Sequence, residues 1–262
     1  MDAATLSLPA HASSHRGAEL ARPTAALIPR IDGLGPDDRV LLCLPPAGVG
    51  AAFYRPWTDA PSAGTRVVAV ELPGHGRRLG ERAYDDFDAL ADDLAREVTT
   101  AAWPRWAAYG HSMGGLLAAA VAERTEASGC RPERIVLGAC APPWEFTSAS
   151  TLDALDDEGL IDYLARLGGL PEVVQRHPRF LKMFLRTFRA DLRLAAGHQP
   201  TTPTRLACPV TIVAGEHDLL VPPAVIPGWR AVSADTEIVM VAEGHFFGPD
   251  TWARVGDLTW RS

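Results

Sequence analysis

Short apolar runs recur along the chain at residues 40–44, 67–70, 106–109, 135–139, 210–214 and 238–241. Several are rich in valine, and all are short, as expected of strands buried on both faces. Between them the period changes. Residues 84–99 place Phe87, Leu90, Leu94 and Val98 on one stripe at spacings of three and four, which predicts an amphipathic helix. Residues 113–124 are small and apolar, suited to a helix packed tightly on a sheet. Strands alternating with helices predict a mostly parallel, doubly wound α/β sheet in one domain, residues 37–262.

The alternation breaks at about residues 145–200, which hold no strand signal and predict a helical insertion. Its last part carries Phe180, Leu181, Phe184, Leu185, Phe188 and Leu192 on one stripe. Arg179, Lys182, Arg186, Arg189 and Arg193 form the opposite stripe. A helical insertion over the carboxyl edge of such a sheet is a natural lid. Residues 1–36 are rich in Ala, Ser, Pro and Gly without a sustained period, and predict a flexible tail.

Composition narrows the possibilities. With 262 residues, 47% hydrophobic and 22% charged, the chain is neither collagen-like nor wholly disordered. A formal charge of −7 argues against general affinity for nucleic acid. No apolar run approaches the roughly 20 residues that span a bilayer, and the N-terminus lacks the apolar stretch of a signal peptide. A cytoplasmic protein without membrane partners is expected. Cys43, Cys130, Cys140 and Cys208 form no Cys-x-x-Cys pair, and reduced thiols are expected.

The sharpest chemical signal is Gly110-His111-Ser112-Met113-Gly114, a G-x-S-x-G between a predicted strand and a predicted helix. Such a turn needs small neighbours and holds the serine hydroxyl out near a helix N-terminus, where a developing anion is favoured. A serine nucleophile needs a base, and the base an orienting acid. Asp218 follows the run at 210–214 and His245 the run at 238–241, so both fall on the same sheet edge in the order serine, acid, histidine. The catalytic candidates are therefore Ser112, Asp218 and His245. Donors for a tetrahedral oxyanion are expected from the backbone N–H groups of Met113 and of Ala47, in the small-residue loop after the first strand. His111 is expected to point away from the hydroxyl, His217 to be a loop residue and His75 to serve a turn. No zinc spacing occurs, and no metal or cofactor is expected. Gly48-Val49-Gly50 with Glu71 is a partial dinucleotide fingerprint, weakened by Phe53 where its third glycine belongs.

Taken together, these stretches resemble the type II thioesterases, the stand-alone α/β-hydrolases that accompany polyketide synthases and nonribosomal peptide synthetases. The resemblance rests on Leu42-Cys43-Leu44-Pro45-Pro46-Ala47-Gly48 with Phe53-Tyr54-Arg55-Pro56-Trp57, and on Glu71-Leu72-Pro73-Gly74-His75-Gly76-Arg77. It continues through the serine motif, Phe188-Arg189-Ala190-Asp191-Leu192-Arg193, Cys208-Pro209-Val210-Thr211, Gly215-Glu216-His217-Asp218 and Gly244-His245-Phe246-Phe247. Pro46 and Val49 depart from it, standing where the family commonly has His and Gly.

The resemblance implies an α/β-hydrolase fold with a mobile lid. It also implies hydrolysis of acyl groups from the phosphopantetheine thiol of acyl or peptidyl carrier proteins. Carrier proteins are typically acidic, so the stripe of Arg179, Lys182, Arg186, Arg189 and Arg193 is the candidate docking surface, against the alternative of a solvated helix face. The same triad would serve a chain-releasing or cyclising acyltransferase, and a catalytically idle binding partner is the third reading.

Overall fold

The structure, a computed structural model, describes residues 26–62, 64–145, 148–170, 172–200 and 202–260. Six strands form one sheet: β1 (Arg39–Leu44), β2 (Thr65–Ala69), β3 (Arg105–His111), β4 (Ile135–Gly138), β5 (Val210–Gly215) and β6 (Thr236–Val241). Their order is β2-β1-β3-β4-β5-β6, and every pairing is parallel. Each expected run became a strand. Several extend by a residue or two into polar positions such as Arg39, Thr65 and Arg105, because ladder bonds continue where the apolar signal fades.

Side chains alternate across the sheet and so build two cores. Val40, Leu42 and Leu44 face α2 (Phe87–Ala101) and α3 (Met113–Ala127), whereas Leu41 and Cys43 face α1 (Arg55–Asp59) and α8 (Pro249–Thr259). Burial on both faces explains why β1, β4 and β5 read as continuous apolar runs. Helix α2 begins where the Asp86 carboxylate accepts the Ala89 N–H at 3.0 Å, three residues after the expected start.

Between β4 and β5 lie α4 (Ser148–Asp153), α5 (Asp157–Leu167), α6 (Glu172–Gln175) and α7 (Pro178–Gly197). Asp156 caps α5 through the Gly159 N–H, and Gly168 ends it in the left-handed conformation that glycine adopts cheaply. Helix α7 divides along its length. Leu185, Phe188, Leu192 and Ala195 are buried with α3 and the sheet. Phe180 and Met183, nearer the start of the helix, are 55% and 39% exposed.

Leu27 and Ile28 are buried, and their N–H groups both donate to the Glu97 carboxylate, at 3.0 and 2.9 Å. A single acidic side chain on α2 satisfies both amides, which lets this apolar pair pack on the core. Residues 1–25 of the expected tail lie outside the described residues. The four cysteines are free thiols; Cys43, Cys140 and Cys208 are buried. Among the described residues, no helix is long and apolar enough to cross a membrane.

Candidate active site

All loops that leave the carboxyl ends of the parallel strands gather at one edge of the sheet, and the chemistry-bearing residues lie there. Ser112 joins β3 to α3 with φ 54° and ψ −119°, a strained conformation for a residue with a Cβ. Its N–H donates to the Gly138 carbonyl at 2.8 Å, so β4 holds the turn. The flanking glycines are obligatory. A Cβ on Gly110 would fall on the Gly114 carbonyl, and one on Gly114 on the Leu44 carbonyl. The tight turn thus brings α3 directly against the end of β1.

His245 lies beyond β6 and Asp218 beyond β5, both buried. The His245 Nδ1–H donates to Asp218 Oδ2 at 2.8 Å. Asp218 Oδ1 accepts the N–H groups of Leu220 and Val221 at 2.8 and 2.9 Å, which fixes the carboxylate. Because a carboxylate only accepts, Nδ1 carries a proton, and Nε2 is the ring nitrogen left for a further partner. Ser112 and His245 line one small cavity together with Ala47, Met113, Phe246 and apolar side chains of α5 and α7. Its free volume of about 30 Å³ has room for little more than water. A roomier cavity of about 630 Å³ between α1, β2 and α8 is lined by neither Ser112 nor His245.

Around this pair the remaining histidines divide. His111 points away from the serine, as expected from its place in the turn. Its Nε2–H donates to the His245 carbonyl at 2.8 Å, and its Nδ1 accepts from the Tyr109 hydroxyl at 2.9 Å. Burial, reinforced by the nearby His245 ring, pushes the His111 pKa down to about 3, so it stays neutral and clamps the His245 loop. His217 is exposed on its loop. His75 does more than serve a turn. It is buried and lies 2.7 Å from Asp191 Oδ2 on α7, a contact that sequence reading missed. The available signal was a charged residue, Asp191, flanked on the apolar stripe by Phe188 and Leu192.

In the loop after β1, Pro45 and Pro46 have no N–H. The Gly48 N–H donates to Asp191 Oδ2 at 2.7 Å, and the Ala51 N–H to Glu71 Oε1 at 3.0 Å. The dinucleotide reading of this loop fails. Glu71 is occupied by the loop itself, and Gly48 packs against Phe188 and Phe184, where a cofactor phosphate would have to approach. Of the basic stripe on α7, Arg179, Lys182, Arg186 and Arg193 are exposed and Arg189 is half-buried. Arg189 bonds the Asp153 carbonyl and the Asp157 carboxylate, both at 2.9 Å, and Arg193 bonds Asp153 Oδ2 at 2.9 Å. Two of the five candidate docking residues therefore tie α7 to α4 and α5.

A parallel sheet carrying a strained serine after its third strand, with an Asp–His pair on two later loops, defines the α/β-hydrolase class. Within that class the chain belongs to the thioesterase family: the Thioesterase domain matches residues 39–250. A probable cadicidin biosynthesis thioesterase of Streptomyces griseus is 30% identical over 208 residues, covering 79% of this chain and 57% of that protein. Thioesterase TesA of Mycobacterium leprae is 30% identical over 210 residues, covering 79% and 80%. The chain thus spans little more than half of the first relative and most of the second. Among solved structures, the type II thioesterase BorB of the borrelidin biosynthetic cluster superposes with a TM-score of 0.78 at 29% identity, covering 90% of this chain and 98% of BorB. RedJ, the thioesterase of the prodiginine pathway in Streptomyces coelicolor, gives 0.72 at 28% identity, covering 94% and 99%.

Proposed function

We propose that this protein is a type II thioesterase that hydrolyses acyl groups from the phosphopantetheine thiol of acyl or peptidyl carrier proteins, clearing stalled or mis-primed synthases. The observation that carries this reading is the buried Asp218–His245 pair opening on the same cavity as the strained Ser112. His245 Nε2 takes the Ser112 proton as Oγ attacks the thioester carbonyl. Asp218 holds the ring in the required tautomer and stabilises the imidazolium that forms. The tetrahedral oxyanion accepts from the N–H groups of Met113, at the start of α3, and of Ala47. The donor choice follows from the loop's inventory: two prolines precede Ala47, and the Gly48 N–H is committed to Asp191. Collapse expels the pantetheine thiol, which takes its proton from His245 and leaves an acyl-serine. Water then attacks with His245 again as base and releases the acid.

Leu164 and Leu167 of α5 and Phe188 and Leu192 of α7 line the cavity beside Ser112, so the α4–α7 insertion acts as a lid whose movement admits the acyl chain. Free, buried cysteines fit the reducing cytoplasm. The test is intact-protein mass spectrometry of an acyl-loaded carrier protein incubated with wild-type and Ser112→Ala enzyme. Loss of the acyl mass with wild type alone, with free carboxylic acid as product, is expected. Persistence of the acyl group with both enzymes would overturn hydrolysis, and a cyclised product would reassign the protein as a ring-closing acyltransferase.

A further inference from the structure

We propose that Asp191, carried on α7, is a positioning residue that holds the loop after β1 in the orientation that presents the Ala47 N–H to the reacting carbonyl, and does so only while α7 is seated. This rests on the reading of Ser112 as nucleophile and of Ala47 as oxyanion donor. Asp191 Oδ2 accepts from the Gly48 N–H and the His75 Nε2–H, each at 2.7 Å. The Gly48 N–H belongs to the peptide unit that follows Ala47, one Cα away from the Ala47 N–H. Only the φ and ψ of Ala47 separate that plane from the one carrying the Ala47 N–H, so anchoring the first narrows the directions open to the second. Helix α7 also seats on the loop sterically. Gly48 has φ +78°, and a Cβ there would stand 2.9 Å from the Phe188 ring and 3.1 Å from Phe184.

The carboxylate is costly where it stands. Asp191 is 3% exposed on an apolar face, and an uncompensated charge there is strongly unfavourable. His75 supplies the compensation. Its Nδ1 lies 3.1 Å from the Pro73 carbonyl and its Nε2 lies against the Asp191 carboxylate. Both partners only accept, so both ring nitrogens must carry protons and the ring is an imidazolium. Burial opposes that charge, but the bond to Asp191 and its charge, the Pro73 carbonyl and the charge of Glu71 outweigh it and hold the His75 pKa above its ordinary value. Movement of α7 away from the loop removes the one side chain that joins the Gly48 amide to His75. Closure over the acyl chain and assembly of the oxyanion site become a single event, so an open lid hydrolyses nothing.

Asp191→Ala and Asp191→Asn, each checked for folding by thermal melting, test this on a short-chain acyl thioester of N-acetylcysteamine. Asp191→Ala is expected to lower kcat about 100-fold, the scale of a lost oxyanion donor, with KM within about threefold of wild type. Asparagine keeps an acceptor oxygen for Gly48 but not the charge. Asp191→Asn is therefore expected to recover kcat to within about tenfold of wild type, with the alkaline limb of its pH profile moved to lower pH, because His75 loses its counter-charge. Wild-type kcat in a folded Asp191→Ala enzyme, or a loss confined to KM, would overturn the proposal. If Asp191→Ala does not fold, an Asp191→Asn pH profile superimposable on wild type would do the same. Ser112→Ala, run alongside, separates the two readings: an active Ser112→Ala enzyme removes the nucleophile assignment whatever Asp191 does.

Discussion

His111 and His75 are both 3% exposed or less, yet their pKa values are shifted in opposite directions. His111 meets one acceptor, the His245 carbonyl, and one donor, the Tyr109 hydroxyl, so burial drives its pKa to about 3 and the ring stays neutral. His75 meets two acceptors, one of them a carboxylate, so its pKa rises despite burial. Burial alone does not set the charge of a histidine; the donor or acceptor character of its two partners does. The difference separates two regions. The sheet edge around Ser112, Asp218 and His245 is joined by contacts among loops that follow the strands themselves, His245 to Asp218 and His111 to the His245 carbonyl. The junction of α7 with the loops after β1 and β2 is joined by a charged pair that exists only while the two surfaces meet.

The largest expected effects belong to the sheet edge. Ser112→Ala should lower kcat/KM by at least about a thousandfold, and Asp218→Asn by about 10³ to 10⁴, since an amide there no longer enforces the Nδ1–H tautomer of His245. Steady-state hydrolysis of a small thioester checks both. An Asp218→Asn enzyme within tenfold of wild type would mean that the backbone clamp by His111 suffices to orient His245.

Stability separates the two histidines next. His75→Leu leaves a buried carboxylate without its counter-charge and should cost about 3–5 kcal/mol. His111→Leu leaves only a hydroxyl and a carbonyl unpaired and should cost about 1–3 kcal/mol. Urea denaturation of both variants at neutral pH gives the order, and equal losses would break the comparison.

These two sites also mark what the sequence could and could not convey. The strands were legible because β1, β3, β4 and β5 are buried on both faces, so apolar side chains occupy nearly every position. Ser112, Asp218 and His245 could be nominated together because each follows an apolar run, and a parallel sheet puts the ends of its strands on one edge. The Asp191–His75–Gly48 contact was hidden because its members are 116 and 143 residues apart and meet through the docking of a helix. No local periodicity encodes that docking. The basic stripe misled in a related way. Helical spacing placed Arg179, Lys182, Arg186, Arg189 and Arg193 together but carried no information about α4 and α5, which neutralise the last two. The burial of Leu27 and Ile28 carried no local signal either, because their partner, Glu97, lies far along the chain.

The charge states predict opposite pH dependences of stability. His111 has a folded pKa below its unfolded value. The stability tied to it is present above the ordinary histidine range and is lost as pH falls from about 6.5 toward about 3. His75 has a folded pKa above its unfolded value. Its contribution is complete below the ordinary range and is lost as pH rises through the elevated pKa. Chemical denaturation from pH 4 to 9 should therefore show a shallower acid slope in His111→Gln and a shallower alkaline slope in His75→Gln. A His75→Gln enzyme with the wild-type alkaline slope would show that the ring is neutral in the folded state.

The smallest expected effect lies at the two ends of α7. Lys182 and Arg186 project from its exposed first half, beside the uncovered Phe180 and Met183, whereas Arg189 and Arg193 are consumed by Asp153 and Asp157. A docking role should fall to the cations that no internal ion pair holds on the insertion. Lys182→Glu with Arg186→Glu should raise KM for an acyl-loaded carrier protein about 3- to 10-fold and leave KM for the free thioester unchanged, because rim charges act on the encounter with a charged partner. The salt dependence of the carrier reaction should fall in parallel. Arg189→Glu with Arg193→Glu should instead lower the melting temperature and slow both substrates alike, since repulsion from Asp153 and Asp157 loosens the packing of α4 and α5 against α7. If both pairs raise KM only for the carrier, the whole stripe docks and the internal ion pairs open on binding. If neither does, carrier recognition lies elsewhere on the protein.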